Sequence, residues 1–168
     1  MKAAQLRNRW TVLGVAAAAG VPLALMVPGS AAGGTGGHET TFRLVELPVS
    51  QQFVDLPPKQ TSQNEPASVG DEVIFVNSLE RGGQQVGLSQ AVCVVTTRQK
   101  NPQVYCSGTF KLHGGTLAGV TSGRLLHAKT VRIAITGGTG RFAAAGGTII
   151  ETKQNSTYQA TVHLLDLR

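Results

Sequence analysis

The sequence predicts an all-β domain built from eight strands. Three observations carry this. First, several runs alternate apolar and polar residues with a period of two, the mark of half-buried strands. Val131, Ile133 and Ile135 share a face, as do Tyr158, Ala160, Val162 and Leu164 against Thr157, Gln159, Thr161 and His163. Val73, Phe75 and Leu79 share a face with Asn77. Second, no window of eleven or more residues after position 33 shows a helical stripe. Third, most connections are short and rich in turn residues, so neighbours pair antiparallel. Eight such strands either close into a barrel or stack as a sandwich. Closure leaves no exposed edge.

In chain order, residues 1–32 read as a secretory signal peptide. Lys2, Arg7 and Arg9 form a basic start, "WTVLGVAAAAGVPLALMV" an apolar stretch, and "PGSAAGG" a small-residue cleavage site after Ala32. The competing reading is a membrane anchor, since the stretch is near spanning length. It is Ala- and Gly-rich and ends at a good cleavage site, so export with no anchor left after cleavage is expected, and the localisation is extracellular. Residues 33–41 read as a flexible Gly-rich leader. Residues 42–168 read as the β domain. Without Lys2, Arg7 and Arg9 the 15 basic side chains fall to 12 against 9 acidic ones, a net charge of +3. These charges are scattered, with no basic run and no interleaved aromatics, so no nucleic-acid partner is expected.

The strands are expected at 42–49, 72–79, 84–97, 103–112, 115–123, 129–136, 146–154 and 157–166, with a long Pro-, Ser- and Gln-rich loop over 50–70. Cys93 and Cys106 flank "VVTTRQKNPQVY". A four-residue turn at 98–101 places 93 opposite 106 across an antiparallel hairpin, close enough for a disulfide in an exported chain. The alternative is two buried thiols.

"AITGGTGRFAAAGG", residues 134–147, has Gly138, Gly140 and Ala143 on the spacing of a dinucleotide-binding loop. Such a loop needs a long helix directly after it, whose N-terminus holds the pyrophosphate. Here two glycines follow within seven residues of Arg141, and then the strand-like "TIIETK". The glycines are therefore assigned to a connection between strands, and no cofactor is expected.

Three ordered motifs carry a family resemblance. "GGTGRFAAAGG" resembles the G-G-T-G-K/R-F signature of plant dirigent proteins. "GDEVIFVNSL" (70–79), "VGLSQAVCVV" (86–95) and "AITGGTGRF" (134–142) are similar to segments of plant allene oxide cyclases. The likeness runs from about Phe42 to Leu165. It implies a single eight-stranded antiparallel β-barrel with a ligand cavity. It also implies that Glu46, Asn77 and Cys93 occupy pocket positions, the glutamate being the group that helps open an epoxide in the cyclases. Two residues after Glu46 this chain has Pro48, where the cyclases have an asparagine. Secretion fits the dirigent branch better than the plastid-targeted cyclases.

The expected catalytic residues are Glu46 and Asn77. Glu46 alternates with Phe42 and Leu44; among apolar neighbours its charge would be disfavoured, which suits a general acid or an anion that steers a developing cation. The competing face is Val45, Leu47 and Val49, which would put Glu46 in solvent. Asn77 serves either a ligand or the backbone of a neighbouring strand. Phe75, Cys93, Tyr105 and Tyr158 are the expected ligand contacts, the tyrosines also serving as cross-strand packing. Arg141 binds an anionic group or stands on a surface turn. His38, His113, His127 and His163 show no paired spacing, so no metal site is expected. Small inward residues (Ala, Gly, Ser, Thr) favour an open lumen for one small hydrophobic metabolite. The function read from this is a barrel that directs cyclisation, isomerisation or stereoselective coupling by positioning. If it is an enzyme, it is a cofactor-independent isomerase or cyclase. A non-catalytic binding barrel and an interaction module with a filled lumen are the alternatives, and a homo-oligomer is a further expectation.

Overall fold

The computed structural model describes residues 38–62 and 65–166. The signal peptide and most of the leader lie outside the described residues. Eight strands follow one another: β1 (His38–Val54), β2 (Glu72–Arg81), β3 (Gln84–Val95), β4 (Val104–Leu112), β5 (Gly115–Gly123), β6 (Thr130–Gly140), β7 (Ala145–Gln154) and β8 (Thr157–Asp166). Each pairs antiparallel with the next, and β1 also pairs with β8, so the sheet is a closed barrel and not a sandwich.

β1 does most to close it. The half that ends at Glu46 pairs with β8, and the half from Val45 onward pairs with β2. It is longer than the sequence suggested at both ends. Residues 38–41, read as leader, join the ladder to β8, where Thr40 faces Leu164 and Thr41 faces His163. Residues 50–54, read as loop, join the ladder to β2 after a register shift between Pro48 and Ser50. Proline lacks the N–H a regular ladder needs, and a bulge absorbs that defect.

The glycine-rich segment also behaves differently from its sequence reading. β6 does not stop at Thr136; Gly137 to Gly140 continue it, opposite Ala118 to Gly115 of β5. The turn comes later, over Arg141–Ala144, with Phe142 N–H donating to Thr139 and Ala145 N–H to Phe142. Gly140 has φ +59°, and a Cβ there would lie 2.2 Å from the Gly114 carbonyl oxygen. Glycine is required by that approach, not by a phosphate. A strand, β7, follows the turn.

The large buried side chains gather toward the end of the barrel that holds this turn. Leu44, Leu79, Phe110, Leu117, Ile135, Phe142, Ile149 and Val162 form one cluster that fills it. A second cluster, Val73, Val95 and Val104 with the Cys93–Cys106 disulfide, lines one wall toward the other end. The two cysteines face each other across β3 and β4 as the turn length predicted. The long β1–β2 loop is held by Asp71, which is fully buried: its Oδ1 accepts from Leu56 N–H (2.9 Å) and its Oδ2 from Ser68 N–H (2.7 Å).

Gly140→Ala forces a Cβ into the Gly114 carbonyl and a side chain into left-handed backbone. It is expected to destabilise the fold by about 2 kcal/mol or more and to lower the melting temperature by roughly 6–10 °C. An unchanged thermal melt would refute the close-approach argument.

Candidate functional site

Above the filled end the barrel encloses a cavity of about 610 Å³. Its walls are apolar: Val73, Phe75, Phe110, Val131, Ile133 and the disulfide. Its rim is formed by Gln51 and Phe53 of β1, the β5–β6 connection with Leu125 to Ala128, and Lys153 to Ser156 around the β7–β8 turn.

One polar cluster interrupts the apolar wall. Glu46 is only 2% exposed. Alternation along β1 decides its direction: Leu44 is buried with it, while Val45 and Val49 stand outside at 38% and 64% exposure. Register then supplies its partners. Pro48 of β1 faces Asn77 of β2, and Asn77 faces Ser89 of β3. Asn77 Nδ2 donates to Glu46 Oε2 (3.0 Å) and to Ser89 Oγ (3.1 Å), and Ser89 Oγ donates to the same Glu46 oxygen (2.7 Å). Oε2 is thus fixed by two donors.

The other oxygen, Oε1, is buried and accepts no hydrogen bond from a neighbouring amide or hydroxyl. Beside Glu46 stands Glu151 of β7, part-buried in the same cavity. Burial, then the Glu46 charge, then a hydrogen bond with Glu46 push the Glu151 pKa from 4.5 up to about 9. Two carboxylates in contact in an apolar wall cannot both ionise at neutral pH. A proton held on Glu151 lets it donate to Glu46 and leaves a single negative charge on the pair. The pair titrates as a unit. It provides both a carboxylic acid and a carboxylate at pH 7, the division of roles seen where one environment drives two acids apart.

Phe75, Asn77, Cys93 and Tyr158 line the cavity with Glu46. Tyr158 lies opposite both Glu46 and Lys153 across its two ladders. Cys93 does so as half of the disulfide, not as a thiol. Tyr105 is the exception: it stands outside at 48% exposure, because Val104 and Cys106 take the inward positions on either side. Arg141 sits in the turn at the filled end, its guanidinium 4.6 Å from the Phe142 ring centroid, and does not line the cavity. Glu151 and Ser89 were not singled out in the sequence. A signal existed for Glu151: it alternates with Ile149 as Glu46 alternates with Leu44. For Ser89 no comparable signal exists, since small polar residues occur throughout the inward positions.

The family model for dirigent-like proteins matches residues 38–167. The chain belongs to the dirigent-like family. Among solved structures, this dirigent-like barrel is similar to a pyocyanin demethylase, with 26% identity and TM-score 0.62 over 74% of this chain and 99% of that one. It also resembles the pterocarpan synthase dirigent protein PsPTS1, with 18% identity and TM-score 0.60 over 78% and 97%. A third neighbour is AbnU, an exo-specific intermolecular Diels-Alderase, with 12% identity and TM-score 0.57 over 76% and 98%. The last two likenesses establish the shared fold alone. No curated protein sequence matches the chain.

The folded state keeps a proton on Glu151 that the unfolded chain releases above its ordinary pKa of 4.5. Unfolding therefore releases a proton between that value and about 9, and stability falls as pH rises through this window. Glu151→Gln carries no such proton and should show a flatter stability profile. Denaturant melts of both proteins at several pH values from about 5 to 9 check this; parallel curves would show that Glu151 is ionised in the native barrel.

Proposed function

We propose that this dirigent-like barrel is an exported protein that binds one small hydrophobic molecule and directs its cyclisation, isomerisation or stereoselective coupling without a cofactor. The observation that carries this reading is the contact between Glu46 and Glu151, two acids set among the apolar side chains of the cavity wall. A pair of acids whose pKa values are driven apart in a concave apolar site is the signature of acid–base work. The neighbours support a small-molecule reaction on this fold, since one is named as a demethylase of pyocyanin and another as a Diels-Alderase. The disulfide and the basic-then-apolar N-terminal segment support export.

The roles follow from the geometry. Walls of Phe75, Phe110, Val131 and Ile133 exclude water and hold the ligand in one conformation. Protonated Glu151 donates a hydrogen bond to a heteroatom at the inner end of the ligand, shares its proton with that atom in the transition state, and takes it back as the product forms, so the pair never holds two charges. Glu46, held by Asn77 and Ser89, keeps its negative charge and faces the positive charge that develops there. The dry surroundings strengthen that attraction. Asn77 and Ser89 act through Glu46 and are positioning residues.

Untargeted mass spectrometry of small molecules that co-purify with the protein identifies candidate ligands, and incubation with them reads turnover. Glu151→Gln and Glu46→Gln are each expected to lower turnover by about 10²-fold or more while ligand still binds. Asn77→Ala is expected to lower it less, by roughly tenfold, through loss of one hydrogen bond to a charged group. Ligand recovered unchanged from the native protein would replace this reading with that of a binding barrel.

A further inference from the structure

The rim of the cavity has a charge opposite to that of its interior. Four connections border this end of the barrel: 55–71, 96–103, 124–129 and 155–156. The second carries Arg98 and Lys100, the third Arg124 and Lys129, and Lys153 is the last residue but one of β7, beside the fourth. All five are exposed, and none of these three connections contains an Asp or Glu. Arg124 Nη2 donates to Gln99 Oε1 (3.3 Å) and ties two of the basic connections together. Lys153 and His127 line the cavity itself. The acids at this end lie on the β1–β2 loop, which packs beside the β3–β4 connection so that Arg98 acts on Glu65, and on the first residue of β2; Lys153, on the far side of the rim, is the basic group nearest Glu151. The acids of the loop are already engaged: Asp55 accepts from Gln60 N–H, Glu65 from Thr61, and Asp71 from Leu56 and Ser68. Glu72 remains, part-buried on β2.

Inside, the sign reverses. Glu151 and Lys153 are two residues apart on one face of β7, about 7 Å along the strand. One strand therefore presents the proton-holding acid to the interior and an ammonium to the rim. A cleft with low-dielectric walls concentrates the field of such charges.

We infer that the cavity takes an amphipathic anion: an apolar body that fills the lumen and ends, at the rim, in an oxyanionic group such as a carboxylate or sulfonate beside Lys153. This rests on the reading of the cavity as a ligand site, and it adds the chemical class and direction of the ligand. The negative charge of the Glu46–Glu151 pair rejects an inward anion, and Lys153 attracts an outward one. The two together allow a single orientation, which sets the uncharged end of the ligand against Glu151.

Two dyes that share a skeleton separate the contributions. N-phenyl-1-naphthylamine is neutral, and 8-anilino-1-naphthalenesulfonate adds a sulfonate. Both are titrated by fluorescence into the native protein, Lys153→Gln and Lys153→Glu. The expected result is that Lys153→Gln weakens the sulfonate about three- to fivefold and Lys153→Glu weakens it further, while the neutral dye binds all three proteins equally. The loss on Lys153→Gln should shrink at high salt. Neutral dye that binds, with sulfonate affinity indifferent to Lys153, overturns this inference and leaves the ligand-site reading standing. Failure of the native protein to bind either dye overturns both.

Discussion

Closure of the barrel is the constraint on which everything else rests. Among the described residues the β1–β8 ladder alone joins strands distant in sequence, and β1 makes it by handing its first half to β8 and its second half to β2. Once that seam is made, the period of two sorts every residue to one of two surfaces. Leu44 and Glu46 go inward together. Glu151, more than a hundred positions later, arrives two strands away, separated only by β8. Neither acid has a reason to perturb the other until the seam closes, so the acid pair is a consequence of topology and not of any local motif.

The barrel is unevenly filled, and the unevenness has a physical origin. At the filled end, Phe110, Phe142, Leu117 and Ile149 meet across the lumen and supply the hydrophobic burial that a domain of this size needs. Toward the other end the inward positions carry smaller or polar groups, among them Ser89, Ala91, Gly108, Gly119 and Thr121, and space remains. Stability there comes by other means: a disulfide across β3 and β4, and a buried Asp71 that holds the long loop by accepting backbone N–H groups. A cavity is costly when it replaces core packing. Here the packed end and the open end are separate parts of the same tube.

Much of this was legible in the sequence. Strand number, the antiparallel order and the cysteine pairing follow from periodicity and turn length, which are local. The ends of β1 were not legible, because residues 38–41 and 50–54 look polar and loop-like and become strand only when β8 and β2 lie beside them. The extension of β6 was missed for a similar reason: glycines read as turn residues, but Gly138 and Gly140 are there because the opposing backbone of Thr116 and Gly114 comes too close for a side chain. Tyr105 was a misreading of a rule already in hand, since alternation from an inward Cys106 places it outside. The direction of Glu46 was open between two faces of β1. A buried acid can choose the inward face only if partners exist, and three of them, Asn77, Ser89 and Glu151, come from strands the local sequence of β1 does not report.

The same logic distinguishes the acid pair from a carboxylate buried for packing alone. A carboxylate buried for structure alone is best served by fixed donors that satisfy both oxygens, as Asp71 is by Leu56 and Ser68. Glu46 receives such donors on Oε2 only. Its Oε1 has none, and the group that meets Glu46 from β7 is a second acid whose pKa is raised by burial and by the Glu46 charge. Aliphatic residues of similar volume at 46 and 151 would remove that penalty. The arrangement therefore stores a mobile proton next to a fixed negative charge, in a chamber with apolar walls and a basic rim. Asp71 and Glu46 are two buried acids in one small barrel, and the difference between them is that only one faces space a ligand can enter.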